Sequence, residues 1–475
     1  MTRINTNVAS IIAQNRLSRN TNDLQVRLER LSTGLRINRG KDDPAGLIAS
    51  EILRSEKRAI GQAIDNSQRA INVISTAEGA LNETSSLLLD LRALIVATAN
   101  DGALTAEEVD ANQLEIDSLI ASIDRIANTT SFGSLKLLNG SLDYNLSSVQ
   151  PSQVDSATVF STRVPEGGTK NVEIQVVASA QTAQISAAGA TTPAATIELA
   201  GNKGTEIIAF ASGATIAEVA ASINASLDST GVSATASSNG ALYLNSQQFG
   251  SAQFVQVRTL SGTFIDPTTF TTGGSPTRDA GQDVQALVNG QLADATGTRV
   301  DIRSSNLDAR IFLDTAFAQQ TTSTTNFQVT GGGSLFQLGP EVTPQAQVSV
   351  ALTSVGSSNL GNAVVGFLDS IRSGGSNEVK SGNFVAAQNI LGEAINQIST
   401  LRGRLGSLQK NQIQTNINSQ QVALENVSAS ESVIRDADIA TEVSALTRSQ
   451  ILFQSTQSTL QISNTLPQAV LGLLG

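Results

Sequence analysis

The 475-residue sequence contains no histidine, no cysteine and no tryptophan, and only 3% of its residues are aromatic. The first two absences exclude every histidine-based triad, every thiol nucleophile and zinc sites with cysteine or histidine ligands. Without cysteine, the fold cannot depend on disulfide bonds. No pair of carboxylates shows the spacing of a glycosidase site. We therefore predict no catalytic activity, no metal and no cofactor.

Long apolar runs are absent as well. No window reaches the roughly 18 apolar residues of a membrane span. The start of the chain carries Arg3 but lacks the apolar stretch of a cleaved secretory signal. We expect neither membrane insertion nor export by the cleaved-signal route.

Charge is spread unevenly along the chain, whose formal net charge is −11. Residues 1–44 hold eight Lys or Arg against four acidic residues, whereas only Glu442 and Arg448 are charged from Ile439 onward. Nucleic-acid binding needs a broad positive face, so we expect none. A basic start and a nearly uncharged end instead suit two termini that contact other protein.

Apolar residues at helical spacing predict long helices in the N-terminal part. The first stripe consists of Leu17, Leu24, Leu28, Leu31 and Leu35. A second stripe, between Pro44 and about residue 100, consists of Ile60, Ile74, Leu81, Leu88 and Ile95, and only Ser67 interrupts its heptad position. A helix of that length spans roughly 80 Å. Asp101-Gly102 ends it, and a further helix is predicted over about 105–128.

The C-terminal part repeats this organisation. Its stripe runs through Ala394, Ile398, Leu401, Leu405 and Leu408, slips in register, and resumes at Ile413 and Ile417. Such a slip is a stutter, which changes coiled-coil winding locally. The last stripe consists of Ile439, Val443, Leu446, Phe453 and Leu460. Stripes this narrow on such long helices must pack on each other and on other chains.

The middle of the chain, from about residue 141 to 376, differs in kind. Short runs with alternating apolar residues, such as Val172, Ile174 and Val176, predict strands. Asn289-Gly290 predicts a hairpin turn, and Thr215 with Glu218 has the spacing of a helix-capping box. The predicted fold class is therefore α+β: an elongated helical coiled coil of paired terminal segments, with a β-rich insert of one or two subdomains.

A charged connector separates the first two predicted helices. It contains Arg36, Arg39, Lys41, Asp42, Asp43 and Pro44. Asp43 before Pro44 is typical of an N-cap carboxylate followed by a helix-starting proline. Two interpretations stay open for the other charges: a solvated loop, or a contact between neighbouring subunits.

Two long stretches resemble the signatures of bacterial flagellins. The first is LERLSTGLRINRGKDDPAGLIASEIL and the second is SVIRDADIATEVSALTRSQILFQSTQSTLQISNTLPQAVLGLL. They lie at opposite ends of the chain and in the expected order. The insert contains TIELAGNKGTEIIAFASGATIAEVAASIN, which resembles a motif of flagellar axial proteins.

The resemblance implies a layered polymer. Residues 1–43 and 434–475 would form an inner tube, residues 44–164 and 345–433 an outer tube, and residues 165–344 a surface insert. The self-assembly residues would be Leu17, Leu24, Leu28, Leu31, Leu35, Val443, Leu446, Phe453 and Leu460. The connector would lie near the returning chain at Arg435, Asp436 and Asp438.

The resemblance also implies partners and a location. The chain would be secreted through the flagellar export apparatus and held beforehand by a cytosolic chaperone on its C-terminal helix. It would then polymerise with itself into a helical filament for motility, next to cap and hook-filament junction proteins. Flagellins that stimulate the vertebrate flagellin receptor present an arginine, a leucine and a glutamate, and the matching positions here are Asp90, Leu94 and Glu115.

Three alternatives remain at this stage. A hook-filament junction protein has similar helical ends, although it would match the two signatures less well. A filament subunit with an enzymatic insert would show activity in the isolated insert. A secreted coiled-coil adhesin would form a discrete oligomer, whereas a flagellin forms open helical polymers.

Overall fold

The computed structural model describes residues 6–474, apart from 163, 165–167, 189–190, 193, 238–239, 263, 265–277 and 305. The helices are α1 (Val8–Thr33), α2 (Pro44–Thr98), α3 (Ala106–Thr129), α4 (Ile216–Asn224), α5 (Leu227–Thr230), α6 (Thr315–Ala318), α7 (Phe384–Ser407), α8 (Gln414–Arg435) and α9 (Ile439–Leu474). A π-helical segment, Leu408–Ile413, joins α7 to α8.

The strands lie between α3 and α7. They are β1 (Ser131–Phe132), β2 (Leu135–Lys136), β3 (Tyr144–Ser147), β4 (Val154–Thr162), β5 (Lys170–Ala178), β6 (Thr182–Ala188), β7 (Thr191–Thr192), β8 (Ala195–Gly201), β9 (Thr205–Phe210), β10 (Ala214–Thr215), β11 (Val232–Ala236), β12 (Ala241–Phe249), β13 (Phe254–Gly262), β14 (Arg278–Ala280), β15 (Gln285–Val288), β16 (Gln291–Leu292), β17 (Asp294–Thr296), β18 (Arg299–Arg303), β19 (Leu307–Leu313), β20 (Thr324–Gly332), β21 (Ser334–Gln337), β22 (Gln347–Val350), β23 (Gly361–Asn362) and β24 (Gly366–Phe367). The α+β class, with helical ends and a β-rich middle, is confirmed.

Contacts inside the chain divide it into two compact units. Unit 1 comprises Met1–Ile71, Gln337–Gln347 and Leu408–Gly475, and unit 2 comprises Asn72–Phe336 and Val348–Ser407. The predicted layers describe positions in a polymer, whereas these units describe contacts within one chain. The layer boundaries therefore stay a prediction.

The stripe predicted on α2 is buried along the helix. Ile60 in unit 1, and Ile74, Leu81, Leu88 and Ile95 in unit 2, are almost fully buried. Ser67, the one polar residue in the stripe, is also buried, and its hydroxyl donates to the Ala63 carbonyl at 2.8 Å. This bond explains how a serine is tolerated there, because a buried hydroxyl is costly unless it is hydrogen-bonded.

The predicted stutter is a π-helical turn. Leu408 and Ile413 are both buried and stand five positions apart. A π-helix closes i→i+5 hydrogen bonds, so residues five apart stack where an α-helix stacks residues three or four apart. The turn therefore absorbs the register slip, and the stripe resumes on α8 at buried Ile417.

The strands of unit 2 enclose two separate cores. The first contains side chains from β3, β4, β5, β15, β18, β19 and β20, among them Val172, Ile311 and Phe327. The second contains side chains from β6, β8, β9, β11, β12, β13 and α4. α4 packs on β11 and begins with the predicted capping box, in which Glu218 and Thr215 bond each other's backbone N–H.

The hairpin predicted at Asn289-Gly290 joins β15 to β16. Both residues have positive φ, 50° and 78°. This backbone conformation suits asparagine and glycine and gives a turn whose twist matches the flanking strands.

Candidate assembly site

The two terminal helices α1 and α9 pack against each other in unit 1. Polar side chains bridge them along their length. Asn7 Nδ2 donates to the Ser463 carbonyl at 2.7 Å, and Asn20 Nδ2 donates to Thr456 Oγ1 at 3.2 Å. Low residue numbers on α1 meet high ones on α9, so the pair is antiparallel.

The predicted self-assembly residues on these helices are not fully buried in the chain. Leu17, Leu24, Leu31, Leu35, Leu446, Phe453 and Leu460 are half-buried. Leu28 and Val443 are 47% and 44% exposed. The fully buried seam positions are instead small or polar, namely Ser10, Ala13, Glu442 and Ser449. Heptad spacing predicts which residues line a stripe, but two helices alone offer too little surface to cover it.

Further apolar residues on both helices are exposed. They are Val8, Ile11 and Ile12 on α1, and Ile439, Ile451, Leu452 and Ile462 on α9. Large apolar side chains that are exposed together on one pair of helices favour binding of another molecule there. We call these residues, together with Leu28 and Val443, the outer apolar surface.

The connector is tied to the returning chain by backbone pairing. Leu35 and Asp436 form an antiparallel bridge, in which the Arg36 N–H donates to the Arg435 carbonyl at 2.7 Å and the Ala437 N–H donates to the Gly34 carbonyl at 2.9 Å. Gly34 ends α1 in the left-handed conformation with φ 73°, which glycine adopts without steric cost. The proximity expected of the two segments is thus present within the chain.

Side chains of the connector hold its own turn. Asp42 Oδ2 accepts from the N–H groups of Arg39 and Asn38 at 2.8 and 3.1 Å, and these bonds, the Arg39 one foremost, lower the pKa of Asp42. Asp43 Oδ1 accepts from the Gly46 N–H at 2.9 Å, next to the first helical residue Pro44. Arg39 pairs with Glu29 at 3.0 Å, whereas Lys41 is exposed.

One buried residue of the connector escaped the sequence reasoning. Ile37 is almost fully buried, and a side chain at Gly46 would come within 2.7 Å of its Cδ1 atom. A single isoleucine between Arg36 and Asn38 gives no periodic signal. Its burial shows that the connector is a packed turn, and its charges serve contacts within the chain in addition to any contact between subunits.

The returning chain carries its own charge contacts. Arg36 Nη2 donates to the Ile434 carbonyl at 2.6 Å, and Arg435 pairs with Glu51 of α2 at 2.8 Å. Asp438 caps α9 through Thr441 and Ala440, and the Thr441 hydroxyl is the main cause of its lowered pKa. Arg435 and Asp436 therefore lie beside the connector, whereas Asp438 contacts the first turn of α9.

The receptor-matching positions lie in unit 2. Asp90 and Leu94 stand one turn apart on α2, with Asp90 exposed and Leu94 half-buried. Glu115 is exposed on α3. All three are thus at least partly accessible to solvent in the single chain.

Comparisons with known proteins match both ends and the insert. A family model described as bacterial flagellin N-terminal helical region matches residues 4–143, and the C-terminal helical region matches residues 388–474. The flagellin hook IN motif matches residues 196–248. Flagellin D of Vibrio anguillarum is 30% identical, with 99% of each chain covered. The chain belongs to the flagellin family. Membership makes it a structural subunit of the flagellar filament.

Other flagellins agree with this assignment. The flagellin of Bacillus subtilis (strain 168) is 28% identical, again with 99% of both chains covered. Among solved structures, FliC from Burkholderia pseudomallei aligns with 73% of this chain and 99% of its own, at 14% identity and a TM-score of 0.23. The D2-D3 domains of the flagellar cap protein FliD from Escherichia coli align with 39% of this chain and 96% of their own, at 16% identity and a TM-score of 0.28. The assignment rests on the sequence matches, because these structural similarities are weak.

The residues of this flagellin that the structure describes include neither a candidate membrane span nor a group of metal ligands. None of the helices there is both long and apolar enough to cross a bilayer. Acidic side chains do not gather in groups that could hold a metal ion within the same residues. The hook-filament junction and adhesin alternatives gain no better support from the comparisons than flagellin does.

Proposed function

We propose that the outer apolar surface of α1 and α9 is the contact through which each subunit binds its neighbours in the filament. The packing of the pair supports this proposal. Its buried positions are small or polar residues, whereas the large apolar residues Val8, Ile11 and Val443 are exposed. A second copy that covers these side chains stabilises the assembly, because each Å² of buried apolar surface contributes about 25 cal/mol of free energy.

A triple substitution tests this proposal. Val8→Ser, Ile11→Ser and Ile12→Ser together should abolish or strongly weaken polymerisation in a sedimentation assay, while the helix content of the monomer changes little, since exposed substitutions usually alter stability by at most about 0.5 kcal/mol. Ile207→Ser is the matched control, because Ile207 is equally exposed but lies on β9 of the insert. Normal polymerisation of the triple variant would contradict the proposal.

The layered arrangement forms the second part of the proposal. Residues 1–43 and 434–475 make the inner tube, residues 44–164 and 345–433 the outer tube, and residues 165–344 the surface insert. The connector contacts of Arg36, Asp42 and Asp436 then join the layers inside each subunit. Support comes from the family matches at both ends and from the second core, which lies wholly within the insert. The first core combines insert strands with Tyr144, Val154 and Ala351 of the outer-tube ranges.

Export and partners complete the proposal. The subunit is secreted through the flagellar export apparatus, held in the cytosol by a chaperone on α9, and added to an extracellular filament between cap and hook-filament junction proteins. The nearly uncharged α9 supports the chaperone step, because the apolar side chains that its contact with α1 leaves exposed need a partner before assembly. Co-purification with the chaperone should be lost when Ile451 and Leu452, both exposed, are replaced by Asp. Retained binding would contradict this step.

The insert is proposed to have no enzymatic role. The whole sequence lacks histidine and cysteine, which removes the commonest general bases and nucleophiles. Hydrolase assays on intact filaments would detect an activity that overturns this part.

A further inference from the structure

Four charged or polar side chains meet across the α1–α9 pair. Arg27 Nη1 on α1 lies 3.2 Å from both carboxylate oxygens of Glu442 on α9. Arg27 Nε also lies 3.4 Å from Asp23, whose carboxylate accepts from the Ser449 hydroxyl. Glu442 is only 6% exposed and Ser449 only 3%. We call Asp23, Arg27, Glu442 and Ser449 the seam cluster.

Glu442 is buried and Arg27 half-buried, and an ion pair of this kind adds little to stability. Removing two charges from water costs about as much as their attraction returns, so an apolar pair of similar size is often as stable. Leaving one charge buried without its partner is strongly unfavourable, however. The seam cluster therefore favours the alignment of α1 and α9 in which Glu442 pairs with Arg27.

The apolar stripes cannot select that alignment. Leu17, Leu24 and Leu31 recur every seven residues, and so do Leu446, Phe453 and Leu460. A slide of one helix along the other by seven residues therefore places the leucines of α1 opposite the apolar stripe of α9 again. The same slide places Ser449 opposite Arg27 in one direction and Asn20 opposite Glu442 in the other. The first slide also places Gly34 opposite Glu442, so in both cases the buried carboxylate faces an uncharged residue. Both slides break the Leu35–Asp436 bridge as well, so the seam cluster and the bridge favour the same alignment.

We propose that the seam cluster, together with the Leu35–Asp436 bridge at one end of the pair, fixes the lengthwise register of α1 and α9. It thereby sets which outer apolar residues lie side by side and face the neighbouring subunit. Its consequence for the filament rests on the proposed function. Polar residues at buried positions of coiled coils act in this way when they fix register at a cost in stability.

Because the chain has no cysteine of its own, introduced cysteine pairs report the register directly. Asn20→Cys with Thr456→Cys reports the observed register, because the two side chains are 3.2 Å apart. Asn20→Cys with Ser463→Cys reports a slide by one heptad. Each pair is introduced into the full chain and oxidised in filaments. Denaturing gels then separate chains with an intrachain disulfide from disulfide-linked dimers.

With the seam cluster intact, the first pair should form intrachain disulfide at least about tenfold more than the second, since an unpaired buried charge disfavours the slid state. Arg27→Leu with Glu442→Leu should lower this ratio several-fold while the helix content is kept. Arg19→Leu, an exposed arginine of α1, is the control and should leave the ratio unchanged.

Three results would overturn the proposal: an unchanged ratio in the double leucine variant, the same loss of ratio in the control, or interchain dimers as the main product of the first pair. If the double leucine variant does not fold, Glu442→Gln removes only the charge and should lower the ratio in the folded monomer. A high ratio there also overturns the proposal. The readout is independent of the Val8, Ile11 and Ile12 test, so failure of the proposed assembly surface is recognised separately.

Discussion

Gln181 and Gln282 exchange two backbone hydrogen bonds of 2.9 Å, although the whole second core of the insert lies between them in sequence. The chain therefore leaves the first core at one point and returns at the same point. Asp283, beside this crossing, accepts from the N–H groups of Gly297 and Ser251 at 2.7 and 3.1 Å. The second core is attached through one tight joint.

Because the chain enters and leaves the second core at neighbouring residues, we predict that the second core can be deleted without unfolding the first core. Replacing residues 182–281 with Asn-Gly joins Gln181 and Gln282 through a two-residue turn that fits an antiparallel pair. We expect the shortened chain to fold and to polymerise, because α1, α9 and the first core are intact. Circular dichroism and electron microscopy check the two expectations.

A longer deletion provides the contrast. Removing residues 177–342 cuts β5 and takes out β15 to β21, including Ile311 and Phe327 of the first core. This variant should lose much of its stability, since each large core side chain contributes about 2–5 kcal/mol. Equal stability of the two deletions would contradict the assignment of separate cores.

The cap of α2 predicts a local loss of stability. Asp43→Ala removes the acceptor of the Gly46 N–H bond and should lower the free energy of unfolding by about 1 kcal/mol. Asp65→Ala is the control, because Asp65 is exposed in the middle of the same helix. Denaturant titration measures both. A loss no larger than that of the control would argue against the cap.

Acid should loosen the connector. Hydrogen bonds from Arg39 and Asn38 lower the pKa of Asp42 below its ordinary value, and those from Thr441 and Ala440 lower the pKa of Asp438 likewise. A lowered folded-state pKa contributes stability that is present above the unfolded-state value and is lost as pH falls through the folded-state value. The protection of residues 36–43 and 437–441 from hydrogen exchange, corrected for the intrinsic rate at each pH, should therefore fall below about pH 4, the ordinary range of an aspartate.

Asp42→Asn is the matched variant for this measurement. It cannot ionise, so its connector should exchange faster at neutral pH and show a weaker acid dependence. The same acid dependence in the variant and the unmodified chain would show that other groups control the connector.

The receptor-matching positions predict weak recognition of the monomer. Where stimulating flagellins present an arginine, this chain presents Asp90, exposed on α2. A carboxylate has none of the five guanidinium donors and carries the opposite charge, which costs about 2–5 kcal/mol at a desolvated contact. Asp90→Arg should strengthen the response in a receptor-reporter assay. Arg92, two residues on, faces another side of the helix and should not compensate.

An Arg92→Ala variant is the control in the same assay and should change nothing. Full potency of the unmodified chain, or an unchanged response of Asp90→Arg, would contradict this prediction.

The helices could be predicted from the sequence because their signal is periodic. The buried stripe from Ile60 to Ile95 and the register slip between Leu408 and Ile413 both follow from spacing alone. The seam of α1 and α9 could not be predicted in this way. Its contacts depend on single residues, such as Arg27 with Glu442, which lie far apart in sequence and have no repeating pattern. Ile37 escaped detection for the same reason.

A reconstruction of the filament by electron microscopy tests the central claim most directly. The account predicts that Val8, Ile11 and Val443 are covered by neighbouring subunits, while Arg27 remains paired with Glu442 of its own chain. Solvent-exposed Val8, Ile11 and Val443 in the assembled filament would contradict it.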